Sequence, residues 1–94
     1  MTAVSILTSA CNLVSGPRDR QHGAKRENFD RIATLWNAYL DTKRPGPLNA
    51  VDVGLMMVLF KLTRTQSGET NEDDFIDMAG YAACAGEIAT ESGK

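Results

Sequence analysis

The sequence predicts an all-α protein, a single compact array of four helices built from residues 1–94 as one domain. Three observations carry this. Apolar residues recur at helical spacing in four stretches, strong breakers separate those stretches, and no segment alternates as a strand would. The stretches fall at about 3–14, 27–40, 50–65 and 72–90, joined by short links, which is the pattern of neighbouring helices in a bundle.

The first helix, 3–14, places Ala3, Leu7, Ala10 and Val14 on one face, with Val4 and Cys11 beside them. Ser5, Thr8, Ser9 and Asn12 take the other face. Ser15-Gly16-Pro17 stops it, since glycine tolerates the cap geometry and proline cannot continue a helix. In the second helix Phe29, Ile32, Ala33, Trp36 and Tyr39 form the expected apolar face, with Asp30, Thr34 and Asn37 wet. Lys43-Arg44-Pro45-Gly46-Pro47 is a rigid turn. Asn49 then offers an N-cap for the third helix, with Asp52 three residues later at the positive helix end. That helix is apolar nearly all round and is expected at the centre, with Lys61 and Arg64 as its charged side. Asn71 caps the fourth, whose first turn holds Glu72, Asp73 and Asp74.

Composition narrows the function. With 43% hydrophobic residues in 94, the core is modest and a homo-oligomer is expected. A net charge of −2 favours neither DNA nor an anionic membrane as partner. The longest apolar run, Val53 to Phe60, is far short of the roughly 20 residues that span a bilayer. The apolar N-terminus lacks the basic start of a signal peptide. Two cysteines, Cys11 and Cys84, read as reduced core thiols, and a cytoplasmic setting fits them.

Four groups of residues can carry chemistry. The loop Arg18 to Arg26 is basic and holds Arg18, Arg20, His22 and Gly23 ahead of Asn28; arginine forks and a following helix start suit phosphate. Lys61 and Arg64 lie three apart on one face, either pairing with acids of the fourth helix or gripping phosphate. Asp77 lies a turn inside the fourth helix among apolar neighbours, so it needs a partner such as Lys61 or Arg64. Failing that, Asp73, Asp74 and Asp77 can hold Mg²⁺. The last group, Ala79 to Gly86, has small residues suited to close helix packing, with Tyr81 placed to stack on a base. No phosphate-binding glycine loop, zinc spacing or nucleophile elbow is present, and no catalytic residue or resident cofactor is expected.

With these residues in view, the chain resembles a small phage and prophage family described as a domain of unknown function. The resemblance rests on Arg18, Arg20 and Gly23, then Glu27-Asn28-Phe29, Arg31-Ile32-Ala33, Leu35-Trp36 and Tyr39-Leu40. It continues through Asp52-Val53-Gly54-Leu55-Met56-Met57, Lys61 and Arg64 to Asp77-Met78-Ala79-Gly80-Tyr81-Ala82, covering about 13–88 and departing at His22, where the family has tyrosine. The chain also looks like the small helical phage proteins that sequester nucleotide immune signals, cyclic dinucleotides or cyclic ADP-ribose derivatives, as anti-defence sponges. That likeness implies a small nucleotide ligand held by Arg18, Arg20, His22, Asn28, Lys61, Arg64, Asp77 and Tyr81. A second likeness is to MazG-type all-α nucleoside-triphosphate pyrophosphohydrolases, which would need Mg²⁺. Asp73 or Asp74 with Asp77 approximates one of their two carboxylate elements, and the other is missing. A third reading is an adaptor that inhibits a host protein through the acidic start of the fourth helix.

Overall fold

The computed structural model describes residues 1–15 and 25–91. They form four helices, α1 (Ala3–Val14), α2 (Lys25–Thr42), α3 (Ala50–Arg64) and α4 (Glu72–Glu91), with no strand among the described residues. The all-α expectation therefore holds. Helix α2 runs two residues further at each end than the sequence suggested, because Lys25, Arg26, Asp41 and Thr42 all tolerate a helix and the true breakers begin at Arg44-Pro45.

Local hydrogen bonding explains the ends. Thr2 and Ser5 form a reciprocal capping box at α1: the Ser5 amide donates to Thr2 Oγ1 at 3.1 Å and the Thr2 amide to Ser5 Oγ at 3.0 Å. Asn49 and Asp52 do the same at α3, at 3.0 and 2.9 Å. At α4 the Asn71 side chain accepts from the Asp73 amide at 3.0 Å. Both caps expected at Asn49 and Asn71 are in place.

Helices α3 and α4 form a closely packed antiparallel hairpin, and α2 lies against α3. The closest approach is at Gly54, where an added Cβ would lie 2.9 Å from Ala85 Cβ and 3.5 Å from the Tyr81 carbonyl oxygen. Helix α4 turns one seam toward α3: Asp74, Asp77, Met78, Tyr81, Ala85 and Ile88, at the three- and four-residue steps of a helical stripe. Of the small residues expected to pack closely between Ala79 and Gly86, Ala85 does so against Gly54, while Gly80 and Cys84 lie on another side of the helix and are exposed.

The seam of α2 differs from the expected one in an informative way. Ile32, Trp36 and Tyr39 are half-buried as expected, but they are joined by Asn28, Arg31 and Leu35, whereas Phe29 (68% exposed) and Ala33 face out. Polar anchors decide the rotation. The Trp36 indole Nε1–H donates to the Met56 carbonyl at 2.8 Å, and the Tyr39 hydroxyl donates to Asp52 Oδ1 at 2.6 Å. These bonds turn the helix toward its Asn28 flank and away from Phe29.

Helix α3 touches both neighbours, yet Val53, Leu55 and Leu62 remain exposed. Helix α1 is exposed along its length, including Val4, Leu7 and Leu13. Cys11 and Cys84 are free thiols but exposed rather than in the core. Apolar neighbours in sequence placed them inside; their helix faces point elsewhere. Among the described residues, no helix is long and apolar enough to cross a membrane.

Candidate functional site

Polar residues gather at the two opposite ends of the α2–α3 pair, and the two clusters differ in kind. At the first end, where α2 finishes and α3 begins, every polar group is satisfied. Asp52, 6% exposed, accepts from the Tyr39 hydroxyl and the Asn49 amide, and Lys43 Nζ stands 3.6 Å from its other face. Lys43 also donates to the carbonyls of Arg44 (2.7 Å) and Gly46 (3.2 Å), tying down the turn in which Gly46 takes a φ of 124°. The Tyr39 hydrogen bond, then the Asn49 amide and the Lys43 charge, hold the Asp52 carboxyl below its ordinary range against the opposing effect of burial. The same carboxylate, with burial, pushes the Tyr39 hydroxyl up to about 12. This cluster fastens helices, with its buried polar side chains turned to one another.

The second end, where α2 starts, α3 finishes and α4 starts, collects most of the residues singled out in the sequence. Lys61 Nζ lies 2.9 Å from Asp77 Oδ2, and Arg64 Nε lies 3.4 Å from Asp74 Oδ1. Both cations also flank the Phe60 ring, 5.6 and 5.5 Å from its centroid, within cation–π range. The two salt bridges are unequal. The Asp74 side chain is 3% exposed and that of Asp77 is 42%, so the first pair is a dry contact and the second a wet one. Asn28, at the start of α2, accepts from the Ser67 hydroxyl at 2.8 Å and ties α2 to the α3–α4 link. Tyr81 is half-buried on the α4 seam, one turn beyond Asp77.

The structure thus brings Asn28, Lys61, Arg64, Asp77 and Tyr81 to one end. Arg18, Arg20 and His22 lie outside the described residues. Of the carboxylates considered for Mg²⁺, Asp73 is exposed, while Asp74 and Asp77 each face a cation. Among the described residues, no three His, Cys, Asp or Glu side chains converge as a metal site would require.

One residue the sequence reading passed over belongs to this end. Arg31 lies on the α2 seam between Asn28 and Leu35, half-buried, and its Nη1 is buried without a hydrogen-bond partner among the described residues. It lines an open cleft of about 660 Å³ between α2 and the end of α3, with Asp30, Thr34, Leu35, Leu62, Thr63 and Gln66. The signal was present in the spacing. Arg31 stands four before Leu35 and three after Asn28, in register with the seam, but a charged residue is ordinarily assigned to the wet face.

The comparisons with known proteins place the lineage. A family model described as a domain of unknown function, DUF6378, matches residues 5–89. The gene 55 protein of Mycobacterium phage L5 is 42% identical over 79 residues, 84% of this chain and 49% of the relative. The gene 55 protein of Mycobacterium phage D29 is 39% identical over 87 residues, 93% of this chain and 55% of the relative. The chain therefore spans about half the length of these curated relatives. No solved structure matches. With the family model covering nearly the whole chain and both relatives agreeing, the chain belongs to the DUF6378 family.

Proposed function

We propose that this protein binds a phosphate-bearing nucleotide and holds it without cleaving it, sequestering an immune signal of the cyclic-dinucleotide or cyclic-ADP-ribose type. The observation that carries this reading is the charge balance at the second end. Lys61 and Arg64 are answered by Asp77 and Asp74, while the half-buried Arg31 faces no carboxylate among the described residues and lines a cleft of about 660 Å³. Asp30, on the cleft wall, is already engaged by Arg26 at 3.3 Å. One positive charge is left over in a partly desolvated place, where an anion gains more than it would in open water. The volume lies within the range of roughly 300–1,000 Å³ common for small-ligand sites.

Holding is favoured over cutting by the carboxylates themselves. Metal-assisted hydrolysis of a triphosphate needs several carboxylates converging on the phosphates. Asp74 and Asp77 are turned to cations here, and Asp52, the one carboxylate on α3, serves the opposite end.

The experiment is direct. The protein is incubated with nucleoside triphosphates, cyclic dinucleotides or cyclic ADP-ribose isomers, with and without Mg²⁺, then separated from free ligand and heat-denatured. Recovery of intact ligand from the protein fraction is the expected result. Release of pyrophosphate would instead establish a pyrophosphohydrolase, and neither retention nor turnover would overturn the reading in favour of a protein–protein adaptor. Lys61→Gln, whose partner Asp77 is solvated enough to tolerate the loss, should weaken retention about tenfold with the helical signal intact.

A further inference from the structure

Half-buried cations are costly unless an opposite charge answers them. The described residues hold four: Lys43 faces Asp52, Lys61 faces Asp77, Arg64 faces Asp74, and Arg31 faces no carboxylate. Arg31 is also the one of the four that lines the α2–α3 cleft. Its Nη1 is buried and unbonded, and it cannot shed its charge by deprotonation, as a lysine could. A guanidinium in this state lowers stability, and an anion is the partner that would answer its charge as well as its N–H groups.

The remaining lining says what the anion is attached to. The Thr34 hydroxyl donates to the Asp30 carbonyl at 2.9 Å, and the Thr63 hydroxyl donates to the Phe60 carbonyl at 2.7 Å. Each hydroxyl has thus spent its proton; the exposed Thr34 keeps lone pairs to offer, whereas Thr63 is buried and contributes only to the floor. The Asp30 carboxylate, although paired with Arg26, is exposed and can still accept, and the Gln66 amide, with one N–H given to Thr65 Oγ1 at 2.9 Å, keeps its second N–H and its carbonyl. Leu35 and Leu62 supply apolar wall. Arg31 is therefore the one cation among the described residues of the cleft lining, and the exposed Asp30 and Thr34 side chains beside it offer acceptors.

We propose that Arg31 is the anion-holding residue of this cleft, taking a phosphate or carboxylate whose attached body is flat or apolar and carries hydrogen-bond donors, such as hydroxyls or an exocyclic amine. A nucleoside monophosphate unit has this arrangement, so the inference deepens the nucleotide reading and rests on it for the body of the ligand; the anion site itself stands on Arg31 alone. The charge is delocalised over the guanidinium, so an anion on the cleft-facing edge also relieves the buried nitrogen.

The test uses the whole chain and three probes: inorganic phosphate, adenosine and adenosine 5′-monophosphate. In the absence of any of them, Arg31→Met, which keeps the length and removes the charge, should raise the thermal midpoint, because it removes an uncompensated charge. Adenosine 5′-monophosphate should raise the midpoint of the unsubstituted protein and bind it roughly tenfold or more tightly than adenosine does. In Arg31→Met that preference should vanish, and Arg31→Lys should keep part of it. Phosphate alone should stabilise the unsubstituted protein weakly and Arg31→Met not at all.

A lower midpoint for Arg31→Met without ligand, together with an unchanged preference for the monophosphate, would overturn the proposal, because Arg31 would then be a structural residue. The two readings fail separately. If nucleotides are retained but Arg31→Met binds them as before, the Arg31 assignment is wrong and the nucleotide reading survives. If only phosphate acts, and acts through Arg31, the anion site survives and the nucleotide reading does not.

Discussion

The substitution Gly54→Ala tests the helix crossing on which the candidate site depends. The added Cβ would stand 2.9 Å from Ala85 Cβ and 3.5 Å from Ala85 Cα. Carbon atoms in contact prefer about 3.5–4.0 Å, so α3 and α4 must separate by roughly 0.5–1 Å. Neither neighbour can swing aside, since one is a methyl on the main chain and the others are backbone. Overpacking of this kind costs about 1–3 kcal/mol. Against it stands the helix propensity of alanine over glycine, a gain of about 1 kcal/mol at a mid-helix position. The crowding wins by about 1 kcal/mol, which for a domain of this size lowers the thermal midpoint by roughly 4–8 °C.

The assay is thermal unfolding followed by far-ultraviolet circular dichroism. A second variant reverses the sign. In an Ala85→Gly background the obstructing methyl is gone, so adding Gly54→Ala there should stabilise through propensity alone. The coupling between the two positions should be about 1 kcal/mol or more. If Gly54→Ala raised the midpoint in the unsubstituted protein, the close crossing, and with it the register that sets Lys61 against Asp77 and Arg64 against Asp74, would be refuted.

Two further predictions concern charge. Asp74→Ala should be more damaging than Asp77→Ala, because the first removes a buried carboxylate from a dry ion pair at a cost of about 3 kcal/mol, while the second removes a solvated carboxylate worth less than about 1 kcal/mol; urea unfolding of both variants measures the difference. The Tyr39–Asp52 contact should be full near neutrality and lost at both extremes of pH. Asp52 has its folded pKa lowered, so its contribution is present above the unfolded value and disappears as pH falls through the folded one; Tyr39 is raised to about 12, so its contribution is present below its ordinary value of 10.0 and disappears as pH rises toward 12. Spectrophotometric titration should show one tyrosine ionising near 12, and Tyr39→Phe should remove that step.

Much of the local structure was legible in the chain. The breakers Gly16-Pro17 and Pro45-Gly46-Pro47, and the caps Asn49 and Asn71, act through near neighbours, so residue identity and spacing suffice to locate the helices. Asp77 was marked as a carboxylate in need of a cation, and Lys61 supplies it. Arg31 was not marked. Its charge argues for solvent and its spacing for the seam, and only the orientation of α2 decides between them. Cys84 was misplaced for the same reason: an apolar stretch shows that a helix has an inside without showing which side that is.

Four helices, their caps and a separation of charge, with cations near the end of α3 and carboxylates near the start of α4, follow from residue order alone. These are consequences of contacts three and four residues apart, which every turn of helix must make. The tertiary structure decided the rotation of α2 and the meeting of Gly54 with Ala85. It also decided which cations were answered by carboxylates and which one was left facing a cleft. The rotation of α2 rests on hydrogen bonds between residues 13 and 20 positions apart, Tyr39 to Asp52 and Trp36 to Met56, and the rest on the packing of α3 against α4. Such contacts form only once the chain has turned back on itself, so periodicity along a single helix carries no record of them.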